Sequence, residues 1–483
     1  MSISKSLLWK FLERFSVQGT QFLIQIILAR LLSPKHYGAL AIMMIFVNLA
    51  NVIIQNGFNT ALIQNKDADE EDFSSVFWLL LGISTLVYII LYMSAPWLAT
   101  YYDMPYLEKP FKVICLMLIP GALNSVQLAI IRRKMDFKKE FTSNVVSIVI
   151  AGLVGIICAY VGLGLWSLVI QTLVNTTVAC ITMWHVVGWR PKYIYNHQRV
   201  MKLFNFGYKL VLAGLLDTLS NNLSSLIIGA RHNATALGYF SRGAQFPGAL
   251  MGAVNSTVQS VMLPVMASVQ NDKQKAKSLM RKAIVLSCYL VFPMMAVFAG
   301  IAKPLVEILL TEKWLECVAF IQIFCFIYAF WPIHSCNLQA INAMGRSDIF
   351  LKLEIIKKLI TWINLSFSVF YFDTPIAIAG IGILSTILCS FVNCYPNKVL
   401  LDYSFKEQIK DTLSYFILSL TMFILLNFIS DILEATILNL MLLILLGVSY
   451  YWVLSYLLKL EAYIILWEKV RQYLCPKHEF IRR

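Results

Sequence analysis

An all-α polytopic membrane protein of about fourteen transmembrane helices is the fold class this sequence predicts, and three observations predict it. Hydrophobic residues make up 59% of the chain and charged residues 14%, against roughly 25% charged in soluble domains. Apolar runs long enough for a helix across a bilayer, about 20 residues each, recur from end to end. The chain also echoes itself. Ile227-Ile228-Gly229-Ala230-Arg231 with a turn to Gly238 repeats Ile27-Leu28-Ala29-Arg30 with a turn to Gly38. Gln55, Asn56 and Asn59 recur 200 positions on as Asn255, Ser256 and Gln259. Pro120, Gln127 and Asp136 recur 212 positions on as Pro332, Gln339 and Asp348. An internal duplication accounts for all three matches.

In chain order the spans fall at about 10–32, 39–63, 76–100, 112–131, 142–161, 164–187, 203–230, 244–268, 282–302, 316–343, 353–372, 375–396, 411–430 and 435–458. Prolines inside them (Pro120, Pro247, Pro264, Pro293, Pro332) are tolerated where neighbouring helices satisfy the freed backbone. Orientation is read from basic residues, which favour the cytoplasmic side. With the N-terminus in the cytoplasm, the cytoplasmic segments hold 31 of the 40 Lys and Arg, the outer loops hold 8, and Lys209 lies within a span. Both termini are therefore expected in the cytoplasm. The net charge of +14 is a topology signal and not the footprint of a nucleic-acid partner.

Several function classes drop out. No connector is long enough for a soluble domain, and the first apolar run leads into a full span without a signal-peptide cleavage pattern. The ten cysteines stand singly, with no C-x-x-C and no Cys/His spacing for zinc, so they read as packing residues. The phosphate-binding pattern G-x-x-x-x-G-K-[ST] is missing, which argues against nucleotide hydrolysis. No nucleophile–base arrangement marks an enzyme, and no cofactor is expected.

Polar residues inside the apolar spans carry the functional signal. The first span holds Arg14, Gln18, Gln21 and Gln25 within about 60° of helical arc, and the second holds Asn48, Asn51, Gln55 and Asn59 within about 80°. In the eighth, Arg242, Gln245, Ser256 and Gln259 share about 100°. The seventh, Leu203–Ala230, places Lys209, Asp217, Ser220, Asn221 and Ser224 within about 120°. Such groups cannot face lipid without a heavy desolvation cost, so they face protein or water. Helix–helix hydrogen bonding explains any one amide. Four stripes, in the first two helices of each half, point instead to a shared water-filled cavity.

The charges divide further. Arg30 and Arg231 sit at the outer ends of the first and seventh spans, where snorkelling and a cavity role fit equally well. Lys209 and Asp217 are intramembrane charges, functional candidates by default. They stand eight residues apart, about 12 Å along the axis, too far to pair within one helix. Lys209 is the candidate for meeting an anionic substrate, and Asp217 for coupling a proton or sodium ion. Lys66 with Asp67, Asp69, Glu70, Glu71 and Asp72 reads as a solvated connector.

Three stretches add a resemblance. Ala61-Leu62-Ile63-Gln64 with the acidic run and Phe73–Trp78, then Arg132-Arg133-Lys134-Met135-Asp136-Phe137, then Gly164-Leu165-Trp166-Ser167-Leu168-Val169, resemble the polysaccharide flippases. More narrowly they are similar to the Wzx-type exporters of lipopolysaccharide, colanic acid and capsule units, within the multidrug/oligosaccharidyl-lipid/polysaccharide exporter superfamily. The resemblance implies two six-helix lobes, here 1–200 and 201–396, with two further helices and a cytoplasmic tail in 397–483. It implies a bacterial inner-membrane carrier of undecaprenyl-pyrophosphate-linked oligosaccharide, working by alternating access with helices 1, 2, 7 and 8 around the cavity. Polysaccharide polymerase or assembly proteins are the partners it suggests, besides bilayer lipids. The motif residues are family marks only. The cavity charges match no family position and rest on the physical argument.

Two rivals remain. A multidrug antiporter of the same superfamily favours an anionic cavity for cationic drugs, whereas this one reads as cationic. A membrane polysaccharide polymerase or ligase generally needs a large outer loop, and this sequence has none.

Overall fold

Backbone in lipid has no water to bond to, so each segment must close its own hydrogen bonds, which a helix does. The computed structural model describes residues 3–64, 68–372 and 374–474, with the helical side chains at 3–15, 56, 57, 60, 64, 202, 205, 206, 253, 257 and 472–474 outside the description. Among the described residues there is no strand. The helices gather into two compact units, Met1–Ser241 and Arg242–Arg483.

The first unit contains α1 (Ile3–Leu31), α2 (Pro34–Asn51), a π-helical segment Val52–Asn56, α3 (Gly57–Gln64), α4 (Glu70–Tyr101), α5 (Glu108–Ile114), α6 (Leu118–Lys134), α7 (Phe137–Tyr160), α8 (Leu165–Val187) and α9 (His197–Arg231). The helix α10 (Ala234–Ala267) starts there and continues into the second unit. The second unit adds α11 (Lys273–Gly300), α12 (Ala302–Leu310), α13 (Cys317–Ala329), α14 (Trp331–Ala343), α15 (Ser347–Tyr371), α16 (Pro375–Leu401), α17 (Phe405–Ile432), α18 (Ile437–Leu457) and α19 (Glu461–Leu474).

All fourteen expected spans fall on helices. Among the described residues, twelve stretches are long and apolar enough to cross a membrane. The two not among them are α1, whose first half lies outside the described side chains, and α15, which carries Lys352, Glu354, Lys357 and Lys358. The packing boundary falls at Ser241, after the repeat boundary expected at residue 200. The cause is α9, which packs along α2, α3 and α4.

Small residues build the first unit. On α7, Ser143, Ser147, Ala151, Gly155 and Ala159 recur every fourth residue and are buried, a seam that lets neighbouring backbones approach. A Cβ at Gly155 would stand 2.9 Å from the Gln171 side chain of α8, and one at Gly152 would collide with Ile24 of α1. Ser143 donates to the Ala179 carbonyl at 2.9 Å. In the second unit, a buried amide cluster does the equivalent work. Asn337 of α14 bonds Gln408 of α17 at 2.9 Å, and Asn397 of α16 donates to Asn337 Oδ1 at 2.8 Å.

The helix starts are set by side chains. Asp69 caps α4 by accepting from the Glu71 and Asp72 backbone amides, and the acidic first turn suits the positive end of the helix dipole. Ser404 and Glu407 form a reciprocal capping box on α17.

Candidate functional site

The helix α9 begins at a cap, Asn196, whose side chain accepts from the Gln198 and Arg199 amides at 3.1 and 3.3 Å. Its 35 residues run about 52 Å. Lys209, Asp217 and Asn221 are all exposed on it. So are Tyr208, Leu212, Leu216 and Leu219, which occupy a separate arc of about 80° on the same helix. The helix thus offers a polar face beside an apolar one, as its periodicity predicts. Asn221 donates to Asp217 at 3.1 Å, one turn away. The Lys209 amine lies 5.9 Å from the ring of its neighbour Tyr208, with no ion pair to a described carboxylate.

The expected stripe of the second span behaves differently. Asn51 accepts from Gln55 at 3.1 Å, and this pair faces Gly121 of α6. Asn59 accepts from Ser125 of α6 at 2.7 Å. Only Asn48 is exposed. The reason is the π-helical turn at Val52–Asn56: its wider winding breaks the even 100° spacing, so Asn59 cannot continue the line begun by Asn48. The second unit repeats the arrangement, with Ser335 of α14 bonded to Asn255 of α10.

The remaining candidates are scattered. Gln18 and Gln21 of α1 are exposed and Gln25 is half-buried, while the Arg14 side chain lies outside the described residues. Gln245 and Gln259 of α10 are exposed. Arg242 is 2% exposed. It donates to Gln245 at 2.6 Å and lies 5.8 Å from the Trp314 ring. A cation so enclosed is packed within the second unit. Arg30 and Arg231 are exposed in the last turns of α1 and α9.

Beyond those turns the starts of α2 and α10 touch. A Cβ added to Gly38 of α2 would collide with the Ala234 carbonyl of α10, and one on Gly238 of α10 would collide with the Pro34 carbonyl of α2. Gly38 and Gly238, aligned by the sequence echo, let two helix starts meet backbone to backbone.

At the opposite end of α9, sequence reasoning missed a latch. Arg199 reaches Asp69 at 2.7 Å, Glu71 at 3.2 Å and Asp72 at 3.4 Å. Asn196 donates to Glu71 at 2.9 Å and the Trp189 indole to Glu70 at 3.2 Å. The described part of the acidic run is therefore a binding strip for the connector before α9 and not merely solvated; Lys66 and Asp67 lie outside the described residues. Arg199 also holds the Asp69 carboxyl below its usual range, by a direct hydrogen bond. Arg133 donates to the Ala68 carbonyl at 3.0 Å, so two of the motif stretches meet here. The signal available in sequence was the pairing of an acidic run with an Asn cap and Arg199 ahead of the next span. Among the described residues no cluster of His, Cys, Asp and Glu could hold a metal ion.

Comparison with known proteins places this geometry in context. A family model described as "Polysaccharide biosynthesis protein" matches residues 27–319. The succinoglycan biosynthesis transport protein ExoT of Rhizobium meliloti (strain 1021) is 23% identical over 65% of this chain and 63% of that protein. The teichuronic acid biosynthesis protein TuaB of Bacillus subtilis (strain 168) is 22% identical over 62% of each. The match therefore spans less than two thirds of these two relatives. The lipopolysaccharide biosynthesis protein WzxC of Escherichia coli (strain K12) is 20% identical over 85% of this chain and 84% of its own length. Among solved structures, the lipid II flippase MurJ in an inward closed conformation superposes with a TM-score of 0.75 at 15% identity, covering 94% of this chain and 98% of that one. An inward-facing multidrug resistance MATE family transporter of the MOP superfamily gives 0.61 at 14% identity, covering 81% and 99%. The fold is the one these transporters share.

Proposed function

Because the chain belongs to the polysaccharide biosynthesis protein family, we propose that it carries a lipid-linked oligosaccharide from the cytoplasmic to the outer leaflet of the bacterial inner membrane, both termini being cytoplasmic. The names of the relatives, concerned with succinoglycan, teichuronic acid and lipopolysaccharide, support a surface-polysaccharide precursor as cargo. The fold shared with a lipid II flippase supports a lipid pyrophosphate as its anchor. On this reading the protein moves its substrate and leaves its bonds unchanged.

The single observation that carries the chemistry is Lys209, exposed within a span of α9 and without a described carboxylate beside it. A pyrophosphate brings about two negative charges whose unaided crossing of hydrocarbon is prohibitive. A cation on a wet helix face lowers that cost, and Asn221, Asn48, Gln18 and Gln21 supply donors and acceptors for sugar hydroxyls. Asp217, a turn from Asn221, is the group for a coupling proton or sodium. A multidrug antiporter would need an anionic face for cationic drugs, and a lysine on that face disfavours it.

Deletion in the native host tests the reading. Lipid-linked glycan should accumulate facing the cytoplasm, and surface polysaccharide should be lost. Normal surface polysaccharide, with drug sensitivity instead, would reverse the choice between the two transporters.

A further inference from the structure

The face that α18 turns away from the bundle does not end with α18. Met441, Leu445, Val448, Trp452 and Tyr456 are exposed along it, one stripe at intervals of three and four residues, as on a helix facing acyl chains. After the three residues 458–460, α19 begins at Glu461. Its Tyr463 brings its ring to 6.3 Å from Trp452 and 6.2 Å from Tyr456, then stacks on Trp467 at 6.2 Å and 8°. The lipid-facing surface thus turns a corner through aromatic contacts and continues on α19.

There Ile464, Trp467 and Val470 are 43%, 50% and 44% exposed, within about 120° of arc. Lys469 occupies the other side, Glu461 and Glu468 lie at the edge next to Ile464, and Arg471 falls within the arc in the last turn, where its long stem can snorkel; all four are exposed. The start of the helix is pinned. Arg281 of α11 grips Glu461 with two bonds, of 2.7 and 2.6 Å, and holds Asp411 of α17 at 3.0 Å. The Ala462 amide donates to Tyr415 at 3.3 Å. A helix pinned where a span leaves the bilayer, with an apolar face pointing outward, has the membrane itself within reach.

We propose that α19 lies in the plane of the membrane interface beside the exit of α18, with Ile464, Trp467 and Val470 sunk into the headgroup–acyl boundary. Its partner is the bilayer. Between residues 461 and 471 two carboxylates (Glu461, Glu468) offset two cations (Lys469, Arg471), so apolar burial and interfacial aromatics hold it, and anionic headgroups are not required. The inference rests on the protein's being a multi-pass membrane protein and is independent of what it transports.

The test is a nitroxide scan of the full-length protein at 464, 467, 468, 469 and 470, one cysteine at a time, in phosphatidylcholine vesicles with and without phosphatidylglycerol. Labelled wild type gives the background from the native cysteines, nine of which are buried or half-buried. Positions 464, 467 and 470 should be severalfold more accessible to oxygen relative to a water-soluble nickel chelate than 469, in both lipids, with 468, at the edge of the apolar arc, in between. If replacing Trp467 disturbs the helix, the contrast of 464 and 470 with 469 still decides. Nickel access at every position would place α19 in water. Protection of the apolar positions from both reagents would mean a protein covers them. A pattern that appears only with phosphatidylglycerol would overturn the uncharged mode of binding.

Discussion

The helix α9 holds Lys209, Asp217 and Asn221 on an exposed face, while α2 and α3 turn Asn51, Gln55 and Asn59 inward, the last onto Ser125 of α6. Both are polar stripes on membrane helices, and they do different jobs. The inward amides satisfy one another and join helices, which neutral groups do at modest gain. The outward face carries ionisable groups, Lys209 and Asp217, at exposed positions within a span. Changes on the α2–α3 side should therefore cost stability, and changes on the α9 side should cost transport.

The sharpest structural test lies at the start of α2. Gly38→Ala and Gly238→Ala each put a methyl into opposing backbone, and each should destabilise the purified protein towards the upper end of the roughly 1–3 kcal/mol that overpacking costs. Because both act on one contact, thermal unfolding of the double variant should show much less than the sum. Full additivity would mean that the two helix starts do not meet. A smaller loss, about 1 kcal/mol, is expected for Asn59→Ala, read as a lower unfolding temperature with transport per folded molecule unchanged. Asp217→Asn should leave that temperature alone and alter the dependence of export on pH or sodium; unchanged dependence on both removes it from ion coupling.

The smallest effect is expected at the Arg199 latch. Asp69, with its pKa lowered by Arg199, contributes stability above its unfolded value of about 3.9 and loses it as pH falls through the lower folded value. The latch therefore holds through the neutral range, and salt is what weakens it. Arg199→Gln should lower the unfolding temperature slightly at low ionic strength and not at high.

How much of this was legible in sequence follows from what each signal averages over. Long apolar spans declare themselves because burial in lipid acts on every residue of a helix, and the fourteen stretches all became helices. The echo between Gly38 and Gly238 pointed to a contact, since only glycine allows so close an approach. The stripe of α9 was readable because that helix winds evenly. The stripe from Asn48 to Asn59 was not, because one π turn undoes an angle summed over eleven residues. Arg242 looked like a cavity cation because sequence cannot see Trp314 closing over it, and Arg199 was hidden because its carboxylates lie some 130 positions away.

The central claim is that Lys209 receives the anionic head of the substrate. It is tested most directly by export of the lipid-linked glycan in cells carrying Lys209→Gln or Lys209→Arg, with membrane accumulation measured alongside. We expect glutamine to abolish export at normal protein levels and arginine, a different but still cationic phosphate donor, to keep part of it. Wild-type export by Lys209→Gln would show that the lysine only snorkels and that the cation meeting the substrate lies elsewhere.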